Sequence, residues 1–196
     1  TYDFYVSAVC NVNESSSYSS VGSFTTTCEV YTTAFVENFD NGSIPECWSV
    51  ENGGSANTWI YNDADGSSLP HNIGSMSIQY ATIAHDDYLY SPAFTVNNST
   101  DGLSFRIMST DASYPEVIDV YLVNASDNSV ISTLASNLEP DSHETAFYSF
   151  LYDLGDNIGS DVKVAFYSST TDQFRMNIDN FVIGTYSNMQ YGWAGY

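Results

Sequence analysis

Positive charge is almost missing from this chain of 196 residues. Arg106, Lys163 and Arg175 are its only Lys or Arg residues and face 24 Asp and Glu, for a formal net charge of −21. Three dispersed cations cannot assemble the basic patch that a phosphate backbone demands, which excludes nucleic acid as a partner. Attraction to an anionic membrane surface fails for the same reason. Long apolar runs are missing too, since none approaches the ~20 residues of a membrane-spanning helix. Helical periodicity is absent over any stretch of about ten residues or more. His71, His85 and His143 have neither ligand spacing nor a His-Glu-x-x-His pattern, so a catalytic zinc is not expected. No Gly-x-Ser-x-Gly elbow occurs. An acid pair suited to glycoside hydrolysis is guaranteed among so many carboxylates and carries no information. The chain opens with Thr1 rather than Met and shows no leader, as a mature, processed or truncated sequence does.

What is present is far from a disordered composition. Hydrophobic residues make up 43% of the chain and 16 residues are Tyr, enough to bury a core in one sizeable domain. The acid excess disfavours compaction through self-repulsion unless salt or divalent ions screen it. Hydroxyl, Asn, Gly and aromatic residues stand where a cytosolic surface carries Lys and Glu, a composition suited to an exported protein. Almost every segment reads as strand, because β-branched and aromatic residues alternate with polar ones between turn signals. Strands are expected at 2–10, 18–27, 31–37, 47–51, 57–62, 75–82, 87–91 and 93–96, and then at 103–109, 117–124, 129–135, 145–152, 161–168 and 176–186. Turns fall at Asn41-Gly42, Asn52-Gly53-Gly54, Asp101-Gly102 and Asp156-Asn157. This spacing predicts an all-β fold, a jelly-roll β-sandwich.

Acids stand beside strand patterns that are far apart in sequence. Asp86 and Asp87 precede Tyr88-Leu89-Tyr90, Asp179 lies in Asn177-Ile178-Asp179-Asn180-Phe181, and Glu37 and Asp40 lie in Val36-Glu37-Asn38-Phe39-Asp40. Such placement points to one oxygen-rich cation site joining the sheets. The cysteines are Cys10, Cys28 and Cys47. If 2–10 and 18–27 pair as a hairpin, Cys10 lies at its turn and Cys28 at the opposite end. A strand rises about 3.3 Å per residue, which takes those sulfurs out of bonding range. Cys28–Cys47 is therefore the expected bridge, stapling a linker to the body, with Cys10 free or paired outside the chain. Cys47 beside Trp48 reads as a disulfide partner rather than a nucleophile.

Two resemblances follow from these residues. Residues 1–28 resemble the last two strands of a fibronectin type III domain, with Tyr2 at the tyrosine-corner position and Gly22-Ser23-Phe24-Thr25-Thr26-Thr27-Cys28 closing the last strand. Residues 31–184 resemble the cleaved-adhesin or choice-of-anchor J family of bacterial secreted proteins, related in fold to the calcium-binding MAM jelly roll. The motifs are Phe35-Val36-Glu37-Asn38-Phe39-Asp40, Ile44-Pro45-Glu46-Cys47-Trp48, Asn57-Thr58-Trp59, Asp87-Tyr88-Leu89-Tyr90-Ser91-Pro92-Ala93 and Ile178-Asp179-Asn180-Phe181. The fibronectin-like part lacks the strands that complete its sheets. Asn62-Asp63-Ala64-Asp65-Gly66 follows Trp59, whereas an Asp-rich loop often precedes that Trp in the family.

The second resemblance implies a Ca²⁺ site at Glu37, Asp87 and Asp179, with Asp40 and Asp86 as helpers. Together the two divide the chain into a hairpin arm at 1–28, an adhesin domain at 29–186 and an aromatic, Gly-containing tail at 187–196. An isolated hairpin is marginal in water, so Phe4, Val6 and Ala8 are expected to meet a neighbouring copy by strand addition. Tyr191 and Trp193 of the tail are expected to be buried against something as well. A contact repeated head to tail makes a filament. The implied function is a non-catalytic, calcium-stabilised protein secreted to the bacterial cell surface, self-assembling as a homopolymer. The alternative is a module of a larger adhesin or hydrolase that binds glycans or surface proteins.

Overall fold

The computed structural model describes residues 2–11, 14–24, 28–32, 34–62, 74–140 and 146–186. The expectations for the 63–66 loop, for Tyr191 and Trp193, and for the side chains of Tyr2 and Cys10 lie outside the described residues.

The chain begins with a hairpin made of two short antiparallel ladders, β1 (Tyr2–Phe4) with β4 (Gly22–Phe24) and β2 (Val9–Asn11) with β3 (Glu14–Ser15). The two continuous strands expected here are interrupted in the middle. Between the ladders the Val6 N–H donates to Ser19 Oγ (3.1 Å) and the Ala8 N–H to Ser16 Oγ (2.9 Å). The serine-rich returning strand thus supplies side-chain acceptors that compete with the backbone, as hydroxyl residues do when they lie within reach.

Twelve strands build the body: β5 (Phe35–Glu37), β6 (Ser49–Glu51), β7 (Ile60–Asn62), β8 (Ser75–Gln79), β9 (Asp87–Tyr90), β10 (Phe94–Thr95), β11 (Asp101–Ser109), β12 (Ile118–Asn124), β13 (Val130–Leu138), β14 (Tyr148–Asp153), β15 (Asp161–Ser168) and β16 (Arg175–Thr185). They form two antiparallel six-stranded sheets. The first runs β13-β12-β15-β9-β6 with β10 also on β15, and the second runs β14-β11-β16-β8-β7 with β5 also on β16. This is the jelly-roll sandwich that the strand spacing predicts. Alternation decides what lies between the sheets. Ile118, Val120 and Leu122 of β12 and Val162, Val164 and Phe166 of β15 meet Phe105, Ile107, Ile178 and Phe181 of the second sheet in one buried core. Trp48 and Trp59 belong to it.

Each sheet has a strand whose neighbour changes partway along, and these two breaks position the surfaces of interest. Pro92 cannot donate to a ladder, so β9 stops at Tyr90 and β10 resumes at Phe94, both on β15. Ser91 bridges the gap, its N–H donating to the Val164 carbonyl (2.9 Å) and its hydroxyl oxygen accepting from the Val164 N–H (3.0 Å). In the second sheet β16 pairs with β8 through Ile178 and with β5 from Phe181. At that switch the register with β11 slips between Arg106↔Asp179 and Ser104↔Val182, a β-bulge with Asn180 at φ 50°.

Candidate functional site

The bulge in β16 brings three of the five expected calcium ligands toward one another. Asp179 is buried there, opposite Arg106 on β11, while Glu37 ends β5 and Asp40 follows it by three residues. Burial pushes the Asp179 carboxyl up to about 7; the Asn180 N–H and the Arg106 guanidinium pull it down, and the charges of Asp40 and Glu37 add to the rise. Asp179 Oδ1 accepts the Asn180 N–H at 2.6 Å, and Glu37 Oε1 accepts the Phe39 N–H at 2.8 Å. Asn180 donates through Nδ2 to Asn38 Oδ1 (3.2 Å), yet its own amide oxygen is buried without a hydrogen-bond partner among the described residues. A pair of carboxylates near a buried third, with an orphaned oxygen beside it, is an all-oxygen set of the kind a hard cation takes. Among the described residues, however, no three Asp, Glu, His or Cys side chains converge closely enough to hold a metal by themselves. Backbone carbonyls, amide oxygens or water must complete any coordination shell.

Asp86 and Asp87 are placed with the first sheet instead, and hydrogen bonds already engage them. Asp87 is fully buried; its Oδ1 accepts the Gly53 N–H (3.2 Å), and its Oδ2 lies 2.7 Å from His85 Nδ1 and 3.0 Å from Ser55 Oγ. Asp86 accepts a hydrogen bond from the Tyr167 hydroxyl at 3.2 Å. The sequence alone gave no sign of the His85–Asp87–Ser55 cluster, because its members come from two loops and a strand. It contains the residue types of a catalytic triad but not the geometry. A relay places the acid on one ring nitrogen and the nucleophile on the other. Here Asp87 and Ser55 share Nδ1, and Nε2 faces the Gln79 carbonyl at 3.1 Å. The cluster anchors the Gly53 loop to the sheet.

On the outer face of the first sheet the same alternation that buries Leu89 and Phe166 turns Tyr88, Tyr90, Tyr167 and Tyr121 outward. Tyr88 is stacked between Tyr90 (5.5 Å between centroids) and Tyr167 (4.4 Å), with Tyr121 6.1 Å beyond Tyr167. Lys163 Nζ lies over the Tyr90 ring, 6.0 Å from its centroid. The phenols of Tyr90 and Tyr121 donate to Glu51 and Asp119, and burial with these carboxylates pushes both hydroxyls far up. The i, i+2 spacing of Tyr88 and Tyr90 is the signal visible in sequence. Packed ring on ring, this ladder braces the outer face of the sheet.

Cys28 and Cys47 form the disulfide, with their Cα atoms 5.6 Å apart. It ties the base of the arm to the loop before β6. Phe4 packs over Gly22, where an added Cβ would collide with its ring. Val6 and Ala8 are exposed, as are Val9 at 75% and Tyr18 at 73%. Tyr186, the last described residue, has its side chain against Gly102.

No protein-family model matches the sequence, and a search of curated proteins finds no match. Solved structures do share the fold. The K1 cleaved adhesin domain of Lys-gingipain from Porphyromonas gingivalis W83 superimposes with a TM-score of 0.63 at 21% identity, over 78% of this chain and 98% of that one. The xylan-binding domain of a Paenibacillus barcinonensis protein gives a TM-score of 0.53 at 13% identity, covering 81% and 97% of the two chains. A carbohydrate-binding module solved with β-1,4-galactotriose gives 0.54 at 11% identity, covering 76% and 94%. At these identities the likeness is one of fold: the chain is a jelly-roll β-sandwich of the architecture found in cleaved adhesin domains and carbohydrate-binding modules.

Proposed function

We propose that the protein is a non-catalytic, extracellular adhesive module of a bacterial surface, joined to further copies through its N-terminal hairpin. The observation that carries this reading is the hairpin's exposed apolar surface. Tyr5, Val6, Val9, Tyr18 and Val21 are all more than half exposed. The strands that bear them need a cover, and strand addition from a second copy supplies both hydrogen bonds and burial. Sedimentation velocity and negative-stain imaging test the idea. Concentration-dependent assembly that disappears in V6K/V9K is expected, and a well-folded chain that stays monomeric at high concentration overturns it. The disulfide fits an oxidising, extracytoplasmic setting.

Calcium stiffening belongs to the same reading. Glu37, Asp40 and Asp179 would hold the ion, with the Asn180 amide oxygen as a further donor, while Asp86 and Asp87 serve the first sheet. A bound dication supplies the positive charge that this chain lacks. Without one, the buried Asp179 carboxyl faces Asp40 and Glu37 with Arg106 as its compensation. A melting curve unchanged by chelator removes this part of the proposal and leaves the hairpin contact standing.

A second reading is favoured by the fold. One structural relative is named as xylan-binding and another is bound to galactotriose. The sandwich here would then bind glycan as a module of a larger secreted protein. Binding to soluble oligosaccharides, measured by calorimetry, separates this from pure self-association.

A further inference from the structure

A groove of about 860 Å³ opens where the break between β9 and β10 meets the base of the arm. Its lining mixes apolar groups, Val30, Ala93 and Ala125 among them, with the polar side chains of Asn124, Asp161 and Lys163. Its volume falls within the ordinary range of small-molecule sites. The groove lies where the pairing of β6 with β9 ends at Ser49↔Tyr90, beside the start of β15, where β10 takes over from β9.

We infer that this groove is a binding site for an uncharged oligosaccharide, a proposal that rests on the glycan-binding reading above and places its site. Each polar group is held by the protein and has hydrogen-bonding capacity left over. Lys163 Nζ donates to Asn128 Oδ1 (3.1 Å), which leaves its further N–H groups. Asp161 Oδ1 accepts from Thr95 Oγ1 (2.6 Å), and among the described residues nothing donates to Oδ2. Asn124 Oδ1 accepts from the Ser126 N–H (2.8 Å) and hydroxyl (2.7 Å), and its NH₂ group has no acceptor among the described residues. Donors and an acceptor are thus pre-oriented around one space, the arrangement that fixes a ligand at low entropic cost. Vicinal hydroxyls can accept from Lys163 and Asn124 and donate to Asp161, while the C–H face of a sugar ring lies on Val30, Ala93 and Ala125.

Charge narrows the class. Lys163 and Asp161 offset each other within the groove, so neither a cation nor an anion gains there, and the net charge of −21 repels anions from the whole surface. A lipid chain would leave the polar lining groups unpaired.

Isothermal titration calorimetry with β-1,4-linked tri- and hexasaccharides of xylose, galactose, glucose and N-acetylglucosamine tests the assignment, with a galacturonate trimer as the anionic comparison. Binding of at least one neutral ligand and none of the galacturonate is expected. K163A and N124A should each weaken that binding about tenfold or more. S126W, which fills the groove from an exposed turn, should abolish it with the melting temperature unchanged. Neutral-glycan binding that survives K163A, N124A and S126W overturns the groove and leaves the glycan reading intact. Binding to no neutral glycan in the set overturns both.

Discussion

The arm and the sandwich obey the same strand pattern and reach opposite extremes of burial. In the body, alternation puts one row of side chains into a shared core, where Phe105, Phe166 and Phe181 are fully buried. In the hairpin the pattern is equally clear, but among the described residues no second layer lies over it, and serine hydroxyls take up amides that a longer ladder would have paired. Strand propensity therefore does not stabilise a strand by itself. Burial does, and it depends on a second sheet.

The sharpest way to break this contrast is truncation of the core. F166A removes an aromatic ring that packs edge-on to Phe105 at 4.9 Å, and denaturant unfolding should show a loss of about 3–5 kcal/mol. Opening the bridge comes next. C28S/C47S releases a link of sequence separation 19, and about 2–4 kcal/mol should go by the same assay. If the arm base contributes nothing to the body, this variant will melt like the parent. Chelator should then lower the melting temperature. For an ion present at a hundredfold its Kd the loss is about 2.7 kcal/mol, and D179N should melt alike with and without calcium.

A smaller effect concerns Glu116, which is wholly buried with Oε2 lacking a hydrogen-bond partner among the described residues. Burial raises its carboxyl above 4.5, while hydrogen bonds from Thr170 and Ser168 and the nearby His85 pull back. The folded state then holds this proton more tightly than the unfolded chain does. Its contribution to stability is full below pH 4.5 and fades as pH rises through the higher folded value. E116Q should flatten that decline in a pH series of unfolding curves. The smallest change in stability is expected in the arm, where V6K/V9K should shift body unfolding by less than about 0.5 kcal/mol. A large shift there would mean that the hairpin is part of the core after all.

Periodicity and composition made the fold class, most strands and the exposed hairpin legible in the sequence. They did so because alternation is a local property of a pleated chain. Chemistry along the chain also marked Asp87 and Asp179 as unusual carboxylates. Only the tertiary structure could sort them. The two sheets of a sandwich are interleaved in sequence, so the partner of an acid depends on which sheet its strand joins. Asp179 meets Glu37 and Asp40 because β16 changes neighbour at a bulge, whereas Asp87 turns to His85 and Ser55 on the other sheet. The groove beside the disulfide arises in the same way, from a pairing that stops where Pro92 interrupts a strand, and no single residue's identity encodes it.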